Sequence, residues 1–207
     1  MIITIVSFKG GVGKTTTAVH LTAYLNQFGK TVLIDGDLNR SATAWAARGD
    51  GKLSINVVDE SMGFTAANEY RHFVIDTAAR PSPAVLKGLA GRVDLIVIPT
   101  TTDGLSLDAL SKTLEAFREV EVDKFKILLT MIPPAPARDG EIARAAFGQA
   151  GLPVFKASIR NLKAFKTAGT HGVLVSDVKD PRAQFGWDDY AAVGAEVKAI
   201  GKAMGAL

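Results

Sequence analysis

The chain has 207 residues, 47% hydrophobic and 22% charged, with a net charge of +3, a length and balance that suit one soluble globular domain with a real core. It has no cysteine, which excludes disulfides, thiolate zinc and iron–sulfur clusters and fits a cytoplasmic setting. No apolar run reaches the roughly 18–20 residues of a membrane span, and no basic region precedes the apolar residues 1–7, so neither membrane insertion nor a signal peptide is expected.

In chain order, Ile2-Ile3-Thr4-Ile5-Val6 reads as a buried strand, followed by Phe8-Lys9-Gly10-Gly11-Val12-Gly13-Lys14-Thr15-Thr16. A helix is expected over 18–28, with Val19, Leu21, Leu25 and Phe28 at helical spacing and Gly29 as its C-cap. A second buried strand, 31–34, ends in Asp35-Gly36-Asp37. A short helix over 41–48 carries Trp45 as a packing residue, and 55–58 reads as a further short strand. Residues 59–71 carry the weakest pattern, with a helix over 63–70. The third clear strand, 72–75, ends in Asp76, and a short helix follows over 84–89. A strand over 94–98 is closed by Pro99, and a helix over 105–120 aligns Leu107, Leu110, Leu114 and Phe117. A strand over 125–131 is stopped by Pro133-Pro134. Then come a helix over 141–150, a short strand starting at Val154-Phe155, and a helix over 162–168. The last helix, 187–204, puts Tyr190, Val193, Val197, Ile200 and Met204 on one stripe. Met62, Met131 and Met204 read as core.

Continuous apolar strands alternating with helices predict a single α/β domain over 1–207. Its sheet should be mainly parallel and twisted, with helices on both faces and ligands at the carboxyl ends of the strands. The glycine loop, Asp35-Gly36-Asp37 and Asp76 all fall at such ends. Strand, glycine loop and helix are the context of a phosphate-binding loop: the backbone curls its N–H groups onto an oxyanion, and the helix start adds more. Lys14 then reaches the terminal phosphates and the Thr15 hydroxyl ligates Mg²⁺. The ordinary pattern wants a glycine five residues before Gly13, where this chain has Phe8. A variant form, Lys-Gly-Gly-x-Gly-Lys-Thr, fits instead, with a second lysine, Lys9, at its front. Ser7 and Thr16 either touch phosphate or cap the helix.

Asp76, an acid at the end of an apolar strand, suits a carboxylate that orients the Mg²⁺ shell. Asp35 and Asp37 alternate along an extended segment, so one can support the metal and the other hold the attacking water. His20, His72 and His171 show no metal-ligand spacing. Charge is uneven: residues 1–137 carry 14 basic and 14 acidic side chains, and 138–207 carry 10 and 7. Lys156, Arg160, Lys163 and Lys166 form a run without an acid, either a solvated face or a patch for a polyanion such as DNA.

Taken together, the loop with Lys9 and Lys14, Asp35-Gly36-Asp37-Leu38-Asn39 and Phe73-Val74-Ile75-Asp76 resemble the ParA/MinD family of deviant Walker ATPases, most like its small ParA type. Leu128-Leu129-Thr130-Met131 resembles the strand leading to the family's adenine-contacting loop, and Ser158-Ile159-Arg160-Asn161 with Ala168-Gly169-Thr170-His171-Gly172 resembles its late segment. The resemblance implies a P-loop ATPase with ATP and Mg²⁺. Gly10, Gly11, Val12, Gly13, Lys14, Thr15 and Thr16 would bind the nucleotide, with Met131 and Pro133 near adenine. Thr15 and Asp76, with Asp35 in support, would hold the metal. Asp37 would position the water, and Lys9 would cross to the partner's nucleotide in an ATP-sandwich homodimer. Arg160, Lys163 and Lys166 would meet nonspecific DNA. An adaptor or cargo protein would stimulate hydrolysis, and the nucleoid-associated dimer would position a plasmid, a chromosome locus or a protein cargo.

Two positions depart from the family pattern. Leu38-Asn39 stands where Pro-Gln is common, and Ile132-Pro133-Pro134 is not the commonest adenine loop. Two other readings compete. A MinD-like membrane-surface ATPase needs a basic amphipathic tail, but the last helix has only Lys198 and Lys202 on its polar face. A metabolic P-loop enzyme needs a substrate domain, and none is evident.

Overall fold

Six strands make one parallel sheet in a computed structural model that describes residues 1–60 and 67–206. The strands are β1 (Ile2–Ile5), β2 (Thr31–Gly36), β3 (Asn56–Asp59), β4 (His72–Thr77), β5 (Leu95–Thr100) and β6 (Phe125–Leu129). Their order is β3-β2-β4-β1-β5-β6. The chain leaves β1 for one side of the sheet, returns through β4, and continues to the other side through β5. β1 therefore sits where the strand order reverses, which in open α/β sheets is where ligands bind. Register brings Asp35 level with Asp76 and Ile5 level with Asp76.

The helices are α1 (Lys14–Asn26), α2 (Ser41–Arg48), α3 (Pro83–Ala90), α4 (Gly104–Glu119), α5 (Asp139–Gln149), α6 (Lys163–His171) and α7 (Ala183–Ala203). The alternation of side chains along the strands feeds two cores. On β5, Leu95 and Val97 join the core beneath α1, α2, α6 and α7, whereas Ile96 and Ile98 join Leu110, Leu114 and Phe117 beneath α4. Both faces are thus covered, as the unbroken apolar runs require.

Several boundaries differ from expectation for local reasons. α1 begins at Lys14, four residues earlier than expected, because Gly13 caps it with left-handed backbone and the polar Lys14-Thr15-Thr16-Thr17 hides the helical period. Phe28 lies beyond the helix, with the Lys198 ammonium over its ring. Gln27 is the C-cap, and Gly29 lies beyond it against the Arg71 side chain, where a Cβ would stand 2.8 Å from Arg71 Cδ. Pro99 lies inside β5 because its missing N–H would face β1, whose pairing has stopped at Val97. β6 ends at Leu129, and Met131, at φ 53, is exposed where a core residue was expected.

Val154 bridges Ile127 without forming a full strand. On α7, Tyr190, Val193 and Val197 are buried and Ile200 is partly so, but Met204 is exposed beyond the core's end. The expected helix over 63–70 and the core role of Met62 fall largely outside the described residues; Ala67–Glu69 is a single 3-10 turn. No described helix is long and apolar enough to cross a membrane.

Candidate functional site

Because every strand runs the same way, the loops after β1, β2, β4, β5 and β6 leave the same edge of the sheet. The first of them turns on Gly11 and Gly13, at φ +77 and +88, a backbone that side-chain-bearing residues rarely adopt. No side chain caps α1 at Gly13 and no acid stands in its first turn. The helix's first backbone bond runs from Thr17 N–H to Gly13 O (2.8 Å). The N–H groups of Lys14, Thr15 and Thr16 are therefore left open toward the loop's concavity. Thr130 Oγ1 donates to Val12 O (2.9 Å) and pins the loop to the end of β6.

That concavity is a cup of about 370 Å³ lined by Gly10, Lys14, Thr15, Asp37 and Asn39 among others. Beside it lies a cavity of about 360 Å³ with Trp45, Met131, Ile159, Phe165 and Tyr190 on its walls. Gly13, Thr16 and Met131 line both, so the two form one groove. An N–H-rich cup continuous with an apolar pocket suits an anionic chain joined to a flat ring system.

The expected loop residues come together here. Gly10, Gly11, Gly13, Lys14, Thr15 and Thr16 line the cup, and Val12, buried, supplies backbone only. Asp76 is fully buried and neither carboxylate oxygen has a hydrogen-bond partner among the described residues. Burial pushes its carboxyl up to about 7, against the downward pull of the Thr15 hydroxyl and the Lys14 ammonium. The hydroxyl comes near without reaching hydrogen-bond geometry. A buried, unsatisfied carboxylate beside a threonine hydroxyl fits a hard divalent cation.

Asp37 lines the cup as expected, with Oδ1 accepting from Asn39 N–H (3.1 Å) and Nδ2 (3.3 Å) and Oδ2 from Ser41 Oγ (3.3 Å). Asn39 thus does fix the acid despite its short side chain. Asp35 does not join the cup as a metal support. Its Oδ2 accepts from Thr43 N–H (2.8 Å) and Oγ1 (2.6 Å), and its Oδ1 from Asp37 N–H (3.3 Å), so it ties the loop to α2. Pro133 also lies outside both cavities' linings, because Ile132 turns away to pair with Ile159 and Asn161.

Lys9 faces away from its own cup. Its Nζ donates to Asp103 Oδ1 (2.8 Å) and Ser106 Oγ (2.7 Å) at the N-cap of α4. That Asp103 contact, then hydrogen bonds from Thr101 and Ser106, hold the Asp103 carboxyl well below the usual carboxylate range. Arg160, expected as an open cation, instead forks onto Asp189 with Nε at 3.0 Å and NH2 at 2.7 Å. Lys163 and Lys166 are exposed on α6.

Sequence reasoning missed Asp103, Ser106 and Arg80. Arg80, at φ 59, props the loop's stem by donating from its N–H to Ser7 O (3.3 Å) and from Nε to Phe8 O (3.2 Å). A signal for the first two was present: Asp103 is an N-cap acid at a parallel strand's carboxyl end.

Comparison with known proteins agrees with this geometry. The family model described as the CobQ/CobB/MinD/ParA nucleotide binding domain matches residues 3–175. A protein called Maintenance of carboxysome distribution protein A, from Gloeobacter kilaueensis, is 29% identical over 201 residues, covering 95% of this chain and 93% of that protein. An ATP complex of a point-substituted McdA from Cyanothece superposes with a TM-score of 0.71 at 18% identity, covering 99% of this chain and 96% of that one. MinD from Pyrococcus horikoshii, solved with Mg-ADP, gives a TM-score of 0.67 at 18% identity, with 92% and 93% covered.

Proposed function

The chain belongs to the CobQ/CobB/MinD/ParA nucleotide-binding family, and on that premise we propose that it is a ParA-type ATPase. In this reading it binds ATP with Mg²⁺, closes into an ATP-sandwich homodimer on nonspecific DNA, and positions a plasmid, a chromosome locus or a protein cargo. The observation that carries the reading is the uncapped start of α1 lining the cup, with the buried, unpartnered Asp76 set behind that lining next to Thr15 and Lys14. The first recognises phosphate, and the second recognises the cation that accompanies it. The ATP-bound McdA and Mg-ADP-bound MinD of the same fold support both ligands.

Each residue then has a role. The N–H groups of Lys14, Thr15 and Thr16 bind phosphate oxygens, and the ammonium of the buried Lys14 neutralises charge on the terminal phosphates. Thr15 and Asp76 would hold Mg²⁺, which supplies further charge neutralisation when bound. Asp37, fixed by Asn39 and Ser41, orients the attacking water. The base lies in the apolar pocket beside Met131. Lys9 serves the partner's nucleotide once two copies meet, so its charge reaches a transferring phosphate only in the dimer. Leu38 and Leu105, 91% and 73% exposed at this edge, are apolar surface that a second copy would cover.

For DNA the candidates are Lys163 and Lys166, with Arg160 contributing less because Asp189 engages it. An adaptor or cargo protein would stimulate hydrolysis, and the relative named for carboxysome distribution supports a protein cargo as one possibility. Anisotropy of a random-sequence duplex in Mg-ATP and Mg-ADP tests the DNA arm. Binding should need ATP and weaken steeply with salt; an ATP-loaded protein that ignores DNA at low salt overturns that arm. Lys14→Ala should lose nucleotide binding and hydrolysis together. Lys9→Ala should keep binding yet hydrolyse roughly 10²-fold more slowly or worse. Equal turnover in wild type and Lys9→Ala rules out the sandwich.

A further inference from the structure

The outer wall of the apolar pocket is built from residues 159–162, part of a stretch that runs beside β6 without becoming a strand. Its inner side is tied to β6 and the turn after it. Ile159 N–H donates to Leu129 O (2.9 Å), Ile132 N–H to Ile159 O (2.9 Å), and Asn161 N–H to Ile132 O (2.8 Å). Its outer side is a sheet edge with no further strand among the described residues, where free N–H groups need other acceptors. α7 supplies them. Asp189 Oδ2 accepts from Arg160 N–H (3.0 Å) while the carboxylate also takes the Arg160 fork. Two turns later Glu196 accepts from Ala157 N–H (2.8 Å) and Lys156 N–H (3.0 Å). Seven residues apart, the two acids share one helix face.

The residue after Asp189 reaches the opposite wall. Tyr190 Oη lies 3.1 Å from Thr17 Oγ1 in the first turns of α1, and the Tyr190 ring stacks on His20 at 4.8 Å. Consecutive residues of α7 thus grip both sides of the pocket, the phosphate-side helix through Tyr190 and the base-side wall through Asp189. Asp189 is itself buried and stands outside the pocket lining, so it acts through Arg160.

We propose that Asp189 is a positioning residue for the base end of the nucleotide: it sets the 159–162 wall against the phosphate cup. The proposal rests on the reading of the groove as an ATP site. Removing the fork loosens the wall and leaves the phosphate donors of the cup, which come from α1 and the glycine loop, faced by Asp37, Asn39 and Ser41 and not by residues 159–162. Affinity for ATP therefore falls, and affinity for a ligand with phosphates but no base does not. The loss of one charged, two-pronged hydrogen bond sets the scale at about tenfold.

Calorimetric titration with Mg-ATP and with magnesium tripolyphosphate, on the full chain, reads the ratio of the two dissociation constants. Asp189→Asn keeps the size of the side chain and an acceptor for Arg160 N–H, and Arg160→Gln removes the fork from its exposed end. Each should weaken ATP about tenfold relative to tripolyphosphate, with Asp189→Glu recovering part of the loss. Glu196→Gln, which loosens the stretch away from the pocket, should lower the melting temperature and leave the ratio unchanged. An unchanged ratio in both fork variants overturns the proposal. So does a shift in Arg160→Gln alone, which would mark a direct contact between Arg160 and the base. Wild type that binds tripolyphosphate and ATP equally well removes the base pocket and the proposal together; wild type that binds neither overturns the ATP reading itself.

Discussion

Two anions compete for Lys9. In the free chain the winner is its own Asp103, assisted by Ser106; in the proposed dimer it is a phosphate bound by the partner. The same-chain contact then opposes assembly. Asp103→Ala should raise the ATP-dependent dimer fraction at a fixed protein concentration, read by light scattering behind a sizing column. A fraction that is unchanged or lower shows that Asp103 does not restrain Lys9. The contact itself was not legible in the sequence, because the partners lie 94 residues apart, although Asp103 stands there as an N-cap acid. The residues of the cup were legible because loop, helix start and strand-end acid are each local patterns. Asp35 shows the limit of such patterns: alternation says which way a side chain faces, and Thr43 decides what it meets there.

His20 carries a pH dependence with a defined sign. Its Nε2 must accept Val175 N–H (3.0 Å), so the proton sits on Nδ1 and donates to Thr16 O (2.7 Å). Burial lowers its pKa to about 4. Between the unfolded value near 6.5 and about 4, the unfolded chain binds a proton that the folded chain refuses, so the neutral imidazole's contribution to stability is lost as pH falls. Asp76, raised to about 7, works in the opposite direction, which makes a variant comparison the clean readout. His20→Phe should destabilise by about 1–3 kcal/mol at pH 8, chiefly for the unpaired Val175 N–H. That gap should narrow by about 1.4 kcal/mol per pH unit below 6.5 in urea titrations. A gap independent of pH contradicts the assignment.

At the scale of elements, α7 is the organising piece on its face of the sheet. Its Tyr190, Val193 and Val197 fill the core beside α1, and Gly194 lets the Tyr24 ring of α1 lie directly on its backbone. A Cβ at 194 would overlap that ring. Gly194→Ala should therefore cost about 1–3 kcal/mol, visible as a lower thermal midpoint; an unchanged midpoint would mean that the two helices part without penalty. The apolar stripe of α7 is largely buried in this packing and is not free to face a membrane surface. Helix and strand cores were readable from apolar periodicity, but ends were not. The start of α1 is set by a left-handed glycine and Pro99 is tolerated by a neighbour that has ended, and both depend on what the chain meets in space. The irregular stretch beside β6 was read only at its first residues, since its bonds go to α7 carboxylates that no local pattern announces.

For the whole molecule, six parallel strands bring every functional loop to one edge, and the exposed Leu38 and Leu105 lie at that edge with Lys9. The DNA candidates sit on α6, Lys163 at its start and Lys166 also on the wall of the apolar pocket. Replacing Lys163 and Lys166 by alanine should reduce the slope of log affinity against log salt by roughly 1–2 and weaken all sequences alike. An unaltered slope would move the DNA surface elsewhere. The central claim is that each chain carries half of a site that two chains complete. Turnover per chain, measured in saturating Mg-ATP across a wide range of protein concentration, tests it most directly. The expected result is turnover that rises with concentration to a plateau in wild type and stays low throughout in Lys9→Ala. Turnover per chain that is the same at every concentration, or shared by the two proteins, would contradict it.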